Sequence, residues 1–338
     1  MINWGIIGLG NAAKQFALGF NDLTNSNLLA VASKTKEKLN FFKDKFKLDD
    51  KYCFSKYEDL INCKEIDIIY IALPHNFHFT WIINCLEQNK NVLVEKPATT
   101  KLEEMQNINR IVEQKKLFFA EGFMYRFHPQ TKKIINLIQG GEIGNLLSME
   151  SNFGVNLLNK KKFFGLVKKK VDYRNRLFNK SLAGGCIYDL GCYPSSLSIL
   201  ISQIKDENNL NYELKKKKKE YGSTNIDIDS YVDIIFSNGF KSHIGCSFNK
   251  NLGKSTKING TKGYIHVEDT WHCIKSKIIL NDKKIKNDQL DFNNIFSFEI
   301  NSISKSLLKN EKQPEFPAIS KKDSEMNIKI LEEWISDS

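Results

Sequence analysis

Two hydrophobic periods alternate along the first third of the chain. Short apolar runs at Ile2–Gly8, Leu28–Ala32, Ile66–Leu73, Asn91–Val94 and Leu117–Ala120 have the length and content of buried strands. Between them apolar residues recur at helical spacing. Ala13, Phe16, Ala17 and Phe20 form one stripe, and Leu39, Phe42 and Phe46 line a helix over Lys36–Phe46. Trp81, Ile82, Cys85 and Leu86 line another over His78–Asn89. A further helix carries Leu102, Met105, Ile108 and Val112 and is expected to open on a capping box of Thr100 and Glu103. Repeated β-α-β units of this kind predict a doubly wound parallel sheet.

After about residue 121 the pattern changes. One helix, Gln130–Gln139, precedes strands in which apolar and polar residues alternate. Asn225–Phe236 places Ile226, Ile228, Val232, Ile234 and Phe236 on one face, and Phe240–Phe248 follows a Ser237–Gly239 turn. Helices are expected over Asn294–Leu308 and Asp323–Ser336, the last with Met326, Ile330, Leu331 and Trp334 inward. The expected fold class is α/β. A Rossmann-type parallel domain spans 1–120, and an α+β substrate-binding and dimerisation domain with an open, mostly antiparallel sheet spans 121–322. The helix over 323–336 is expected to pack back on the first domain.

The first strand runs into Gly8-Leu9-Gly10-Asn11-Ala12-Ala13 and then a helix, the context a dinucleotide fingerprint requires. Gly8 permits the tight turn, Gly10 lets backbone approach a pyrophosphate, and Ala13 keeps helix and strand close. Strand two ends at Ser33-Lys34, where an NAD enzyme carries Asp or Glu for the ribose 2′-hydroxyl. A hydroxyl and a cation suit a 2′-phosphate, so NADP is favoured over NAD. Leu73-Pro74 ends the third long strand, and His78 reads as a helix-start or cofactor-pocket residue. His75 and His78 lack a third ligand in the sequence around them, so no metal is expected. The strand Asn91–Val94 ends in Glu95-Lys96-Pro97 at the carboxyl edge, where ligands of open α/β sheets bind. A lysine there can touch a cofactor and its substrate together.

In the second half, Gly184-Gly185 leads to Asp189 and Tyr193, four residues apart and so on one face of a helical turn. Two readings of this segment stand open. One is a glycine-rich helix start with a packing tyrosine. The other is an acid–base tyrosine whose phenolate a nearby lysine stabilises.

In this order the motifs resemble the glucose–fructose oxidoreductase/inositol dehydrogenase/rhizopine-catabolism (Gfo/Idh/MocA) family. The matching residues are Gly8–Ala13, Pro74–His78, Glu95-Lys96-Pro97, Glu121–Pro129, Gly184–Pro194 and Gly260–Gly263. Tyrosine at 193, where inositol dehydrogenases carry His, resembles the dihydrodiol and D-xylose dehydrogenase branch, which implies NADP. The resemblance implies hydride transfer between the nicotinamide and a hydroxyl or keto carbon of a sugar, polyol or cyclic diol. It implies Tyr193 as proton donor, Lys96 as the cation that lowers its pKa, and Asp189 as an orienting residue. Tyr125, Arg126 and Arg176 are implied as substrate-pocket residues. A homodimer or dimer of dimers is also implied. A non-catalytic regulator of the same fold that senses NAD(P) is the alternative.

Composition changes this picture little. The net charge of +11 invites a nucleic-acid reading. The arginines, however, are only Arg110, Arg126, Arg174 and Arg176, so the excess is dispersed lysine. The runs Lys160–Lys162, Lys168–Lys170 and Lys215–Lys219 are expected in solvated loops or at an exposed strand end. Seven dispersed cysteines without CxxC spacing suggest reduced thiols in the cytoplasm, and no apolar run is long enough for a membrane span.

Overall fold

The computed structural model describes residues 1–162, 165–168, 171–205, 210–286 and 289–336. By contact the chain divides into two compact units. The first comprises Met1–His128 and Leu290–Glu325; the second comprises Pro129–Gln289 and the residues from Met326 on.

The first unit is built on a six-stranded parallel sheet of β1 (Ile2–Ile7), β2 (Ser26–Ala32), β3 (Cys53–Phe54), β4 (Ile68–Ile71), β5 (Asn91–Glu95) and β6 (Phe119–Gly122). Its order, β3-β2-β1-β4-β5-β6, reverses direction between β1 and β4. Alternate side chains feed two cores. Trp4, Ile6, Ile68 and Tyr70 pack with α1 (Asn11–Leu18) and α2 (Lys36–Phe46). Ile7, Ile69 and Ile71 pack with α3 (Tyr57–Asn62), α4 (His78–Glu87) and α5 (Leu102–Lys115). The last strand starts later than the apolar run suggests, because Asn91 takes the Phe118 N–H at 2.9 Å through its side chain. The Thr100–Glu103 capping box is not formed as expected. Helix α5 is capped at Lys101 without a side-chain bond, and the Thr99 hydroxyl donates to the Lys101 carbonyl at 3.0 Å.

After β6 come α6 (Met124–Phe127) and α7 (Pro129–Gln139), and the unit boundary falls between them. The expected boundary at 120 therefore differs from the contact boundary at 128. A larger difference concerns the helix expected over Asn294–Leu308, which the sequence places in the second domain. Residues Phe298, Ile300 and Ile303 of this helix enter the core of Trp4 and Phe16. Trp4 Nε1 donates to Ser304 Oγ at 3.0 Å, and Ser297 Oγ donates to the Gly19 carbonyl at 2.8 Å. The parallel sheet needs a cover on this face, and the helix supplies it.

The second unit holds β7 (Leu146–Gly154), the hairpin β8 (Asn159–Lys162) and β9 (Gly165–Lys168), then α8 (Cys192–Lys205). Strands β10 (Tyr212–Tyr221), β11 (Asp227–Phe236), β12 (Lys241–Ser247), β13 (Thr256–Gly260), β14 (Gly263–Val267), β15 (Ile278–Leu280) and β16 (Lys283–Ile285) follow. The large sheet runs β10-β11-β12-β7-β13-β14-β15-β16, with β12 and β7 parallel and the other neighbours antiparallel. Helix α8 is buried from Cys192 to Ser202, so its small serines face protein on all sides. After α9 (Ile295–Leu308), described above, the chain ends in α10 (Lys321–Ile335).

The unit division falls inside α10. Its residues up to Glu325 join the first unit, whereas the residues from Met326 on belong to the second, contrary to the expected packing of 323–336 on the first domain. Two lysines of the Lys215–Lys219 run explain this placement. Lys217 Nζ donates to the Glu333 and Ser336 carbonyls at 3.0 and 3.2 Å, and Lys219 Nζ donates to Ile335 and Ser336 at 2.6 and 2.8 Å. The run is an edge strand whose alternate ammonium groups cap the carbonyl end of a helix, where cations are favoured. Of the other runs, Lys169 and Lys170 lie outside the described residues. Replacing Lys217 and Lys219 together by Ala should lower stability by about 1 kcal/mol. Urea unfolding measures the loss, and amide exchange should show faster opening confined to the last turn of α10.

Candidate functional site

The carboxyl edge of the parallel sheet gathers most of the first unit's candidates. Gly8 follows β1 with φ of +89°, and a Cβ there would lie 2.6 Å from the Ala72 carbonyl oxygen. Glycine is thus required where the turn after β1 passes the end of β4. At Gly10, the N-cap of α1, a Cβ would meet nothing within 4 Å. The protein's own packing does not demand glycine there, and the open space beside a helix N-terminus fits a bound phosphate group. Asn11 and Ala12 form the first turn of α1. At the end of β2, Ser33 Oγ accepts the Thr35 N–H at 3.1 Å, and the Lys34 ammonium lies 5.5 Å from the centre of the Tyr57 ring.

His78 opens α4 and is fully buried. Its Nε2 lies 2.8 Å from the Leu73 carbonyl, and its Nδ1 lies 2.9 Å from the Pro97 carbonyl. It therefore sits beneath the loops after β4 and β5. Leu73 and Pro74 lead from β4 into the short turn His75–Phe77. Glu95 ends β5 and accepts the Tyr70 hydroxyl. Lys96 follows, 9% exposed.

Behind Lys96 lie groups that the sequence reading passed over. Glu121 on β6 is fully buried. Its Oε1 accepts the Ala98 N–H at 2.8 Å, and its Oε2 accepts the Ser324 hydroxyl at 2.6 Å. Burial pushes its pKa up to about 7, against the pull of those two bonds and of the Arg126 and Lys96 charges. Glu299 on α9 is also buried, its pKa is raised well above the usual range, and neither carboxyl oxygen meets a partner among the described residues. The argument that singled out Lys96, a charge ending an apolar strand at the carboxyl edge, would have found Glu121 too.

Two expected pocket residues are placed elsewhere. Tyr125 and Arg126 are completely buried, and Arg126 Nη1 pairs with Asp323 Oδ2 at 3.2 Å. A guanidinium in that position joins α6 to the start of α10, so the pair is a packing element of the first unit.

In the second unit, Ile187–Gly191 is a π-helical turn leading into α8, wider than the α-turn assumed from the four-residue spacing. Wide turns of this type recur at functional sites. Asp227 on β11 holds its start, accepting the Ile187 N–H at 2.7 Å. Gly185, at φ of +124°, leaves the space which that carboxyl occupies. A Cβ at Gly191 would lie 2.9 Å from the Trp334 ring and 3.1 Å from Cys246 Sγ. Asp189 Oδ1 lies 3.2 Å from Arg176 Nη2, so these two candidates are brought together. Tyr193 is 6% exposed, its ring centre 5.3 Å from Phe153 and 5.6 Å from Trp271. Asp227 and Trp271 carried no distinguishing signal in the sequence, since each reads as one more strand or loop residue.

A model of the oxidoreductase family with an NAD-binding Rossmann fold matches residues 2–123, and the Gfo/Idh/MocA C-terminal domain model matches residues 131–266. The chain belongs to the Gfo/Idh/MocA oxidoreductase family. A trans-1,2-dihydrobenzene-1,2-diol dehydrogenase of Xenopus tropicalis is 27% identical over 98% of this chain and 96% of its own length. D-xylose 1-dehydrogenase (NADP(+)) of Hypocrea jecorina is 32% identical over 57% of this chain and 51% of its own length. Among solved structures, aldose-aldose oxidoreductase from Caulobacter crescentus, in complex with glycerol, superposes with a TM-score of 0.84 at 17% identity, covering 98% of this chain and 96% of that one. The resemblance expected from the motifs is thereby borne out, as are the paired Rossmann-type and mostly antiparallel architectures.

Glu121 gives this Gfo/Idh/MocA protein a defined pH response. Its carboxyl keeps its proton to higher pH when folded than the ordinary value of 4.5. Its contribution is complete below pH 4.5, falls as the unfolded carboxyl ionises, and levels off above about 7. Glu121→Gln should therefore gain stability over the wild type, reaching roughly 3 kcal/mol between those limits. Urea titrations at several pH values measure the difference, and a gap that does not widen with pH would refute the assignment.

Proposed function

We propose that this chain is an NADP-dependent oxidoreductase acting on a hydroxyl or keto carbon of a sugar, polyol or cyclic diol. The observation that carries this reading is topological. The glycine turn after β1 and Lys96 after β5 lie at the same edge of one parallel sheet, where open α/β sheets bind ligands. Gly8, Gly10, Asn11 and Ala12 would hold the pyrophosphate against the N-terminus of α1. Ser33 and Lys34 would take the 2′-phosphate. Leu73, Pro74, Glu95 and Lys96 would border the nicotinamide ribose, with His78 supporting from beneath. The name of the D-xylose relative, which includes NADP(+), supports the same choice. When bound, the nicotinamide supplies or accepts hydride.

The chain's own residues then handle protons and orientation. Tyr193 Oη would give or take the hydroxyl proton, and the Lys96 ammonium would stabilise the phenolate and polarise the substrate oxygen. Asp189 would orient substrate, itself fixed by Arg176. Arg126 and Tyr125, buried as they are, drop to supporting positions in this scheme. A screen of aldoses, inositols, diols and nucleotide sugars, followed by NADPH absorbance, identifies the substrate; absence of hydride transfer to every class would count against the proposal. With that substrate, Tyr193→Phe should keep NADPH affinity and lose about 10²–10⁴-fold in turnover. Lys34→Asp should narrow or reverse the preference for NADPH over NADH in fluorescence titrations, and tighter NADH binding by the wild type would contradict the cofactor choice.

The proposal extends to a cytosolic homodimer. None of the seven cysteines is in a disulfide, and among the described residues no helix is long and apolar enough to cross a membrane. On the open sheet, cross-strand register lines up Lys215, Asp233, His243, Glu150, Lys257 and His266 in one row. Reversed about its centre, the row sets Asp233 against Lys257 and His243 against Glu150. An isologous interface asks for that self-complementarity. Light scattering at micromolar concentration should give at least a dimer, and Glu150→Lys with Asp233→Lys should give monomers.

A further inference from the structure

We propose that Glu121 and His78 are positioning residues for Lys96, acting through the single peptide unit that joins Pro97 to Ala98. This inference rests on the catalytic reading of Lys96 given above. The carbonyl of that unit faces His78 Nδ1 at 2.9 Å, and its N–H donates to Glu121 Oε1 at 2.8 Å. A carbonyl only accepts, and both ring nitrogens face one, so a neutral ring donates to one of the two carbonyls and a doubly protonated ring to both. A peptide unit is planar and stiff, and holding it at both its oxygen and its nitrogen fixes its plane. Proline has no N–H, which makes the Ala98 amide the first backbone donor after Lys96.

Lys96 is therefore bracketed. On one side Glu95 is locked in the β5–β6 ladder, in register with Gly122. On the other side stands the clamped peptide. Little freedom is left to the direction in which the Lys96 side chain departs. Both clamping groups are themselves tethered. His78 Nε2 lies 2.8 Å from the Leu73 carbonyl, at the end of β4. Glu121 Oε2 takes the Ser324 hydroxyl at 2.6 Å. Both side chains are buried, and each holds one end of the Pro97–Ala98 peptide. A carboxylate hidden at this depth is costly, and an apolar residue could have filled the space. What an apolar residue could not do is accept the Ala98 N–H.

The test uses the full chain. Glu121→Ala removes the acceptor. Glu121→Gln keeps it, because the amide oxygen accepts from Ala98 and the amide nitrogen donates to the Ser324 hydroxyl. The first readout needs no bound cofactor: trace acetylation by acetic anhydride, with the label on Lys96 quantified by mass spectrometry. The second is kcat and KM for NADPH with the substrate from the screen. Glu121→Ala should label Lys96 about tenfold faster and lose about 10²-fold in kcat while KM moves less than about threefold. Glu121→Gln should stay within about threefold of wild type in each. His78→Ala should label and turn over like Glu121→Ala, and the double variant should be no worse than the poorer single one, since both act on one peptide unit. A folded Glu121→Ala protein with wild-type labelling and kcat overturns the proposal, as do a Glu121→Gln as damaged as Glu121→Ala and multiplying effects in the double variant. If Glu121→Ala does not fold, Ser324→Ala carries the test by loosening one tether, and unchanged Lys96 labelling there overturns the proposal. Failure of the underlying catalytic reading shows separately, as wild-type turnover in Lys96→Met.

Discussion

The close passage of the turn at Gly8 by the end of β4 constrains the rest of the first unit. A side chain at Gly8 would drive into the Ala72 carbonyl and the Leu73 side chain. The approach exists because β1 and β4 are hydrogen-bonded neighbours while the chain between them builds β2 and β3 on the other side of β1. Strand order reverses there, and the loops leaving β1 and β4 diverge to opposite faces of the sheet. The crevice between them is a geometric consequence of parallel strands joined by helices. Every candidate cofactor residue in this unit ends or follows a strand at that same edge.

Holding charged groups at such an edge has a stability cost that the structure absorbs locally. Glu121 and Glu299 are both buried, and burial raises both carboxyl pKa values. Arg126 is buried as well, and its pairing with Asp323 ties α6 to the first turn of α10. The apolar packing is correspondingly dense. Trp4, Phe16 and Tyr70 form a continuous aromatic group, with Phe16 and Tyr70 stacked at 3.8 Å. Tyr70 then presents its hydroxyl to Glu95, so the core ends directly beneath the residue that precedes Lys96. Packing and polar chemistry are joined side chain by side chain.

The Rossmann-type half was legible because its signals are local: apolar runs of strand length, helical stripes, and a glycine turn between them. The helix over Lys36–Phe46 matches the observed α2 at both ends. What the sequence hid is what depends on distant pairing. Nothing in Asn294–Leu308 says that its Ile300 and Ile303 will meet Trp4 rather than the nearer antiparallel strands. Arg126 stands beside an aromatic run and reads as a pocket residue; its partner Asp323 is 197 positions away. The lysine run at Lys215–Lys219 reads as solvated because composition does not reveal that alternate residues face the end of α10. The four-residue spacing of Asp189 and Tyr193 fits an α-turn as well as the π-turn that forms, since the choice is made by Asp227 and by the ring of Trp334, neither of them local.

The two units solve one problem in the same way. A residue proposed for chemistry, Lys96 in the first unit and Asp189 in the second, has to leave the scaffold in a fixed direction, yet the segment carrying it is short and irregular. In the first unit the Glu121 carboxyl takes the backbone N–H two residues after Lys96. In the second the Asp227 carboxyl takes the backbone N–H two residues before Asp189. Both acids are buried, both stand on strands of the central sheet of their unit, and both have pKa values raised by burial and pulled back by the bond they accept. A bond to a backbone amide is indifferent to the side chain that amide belongs to, so it fixes the path of the chain while leaving the neighbouring side chain free to serve a ligand. It also explains why the supporting acids escaped notice in the sequence: their partners are peptide groups, which every residue possesses and no motif records.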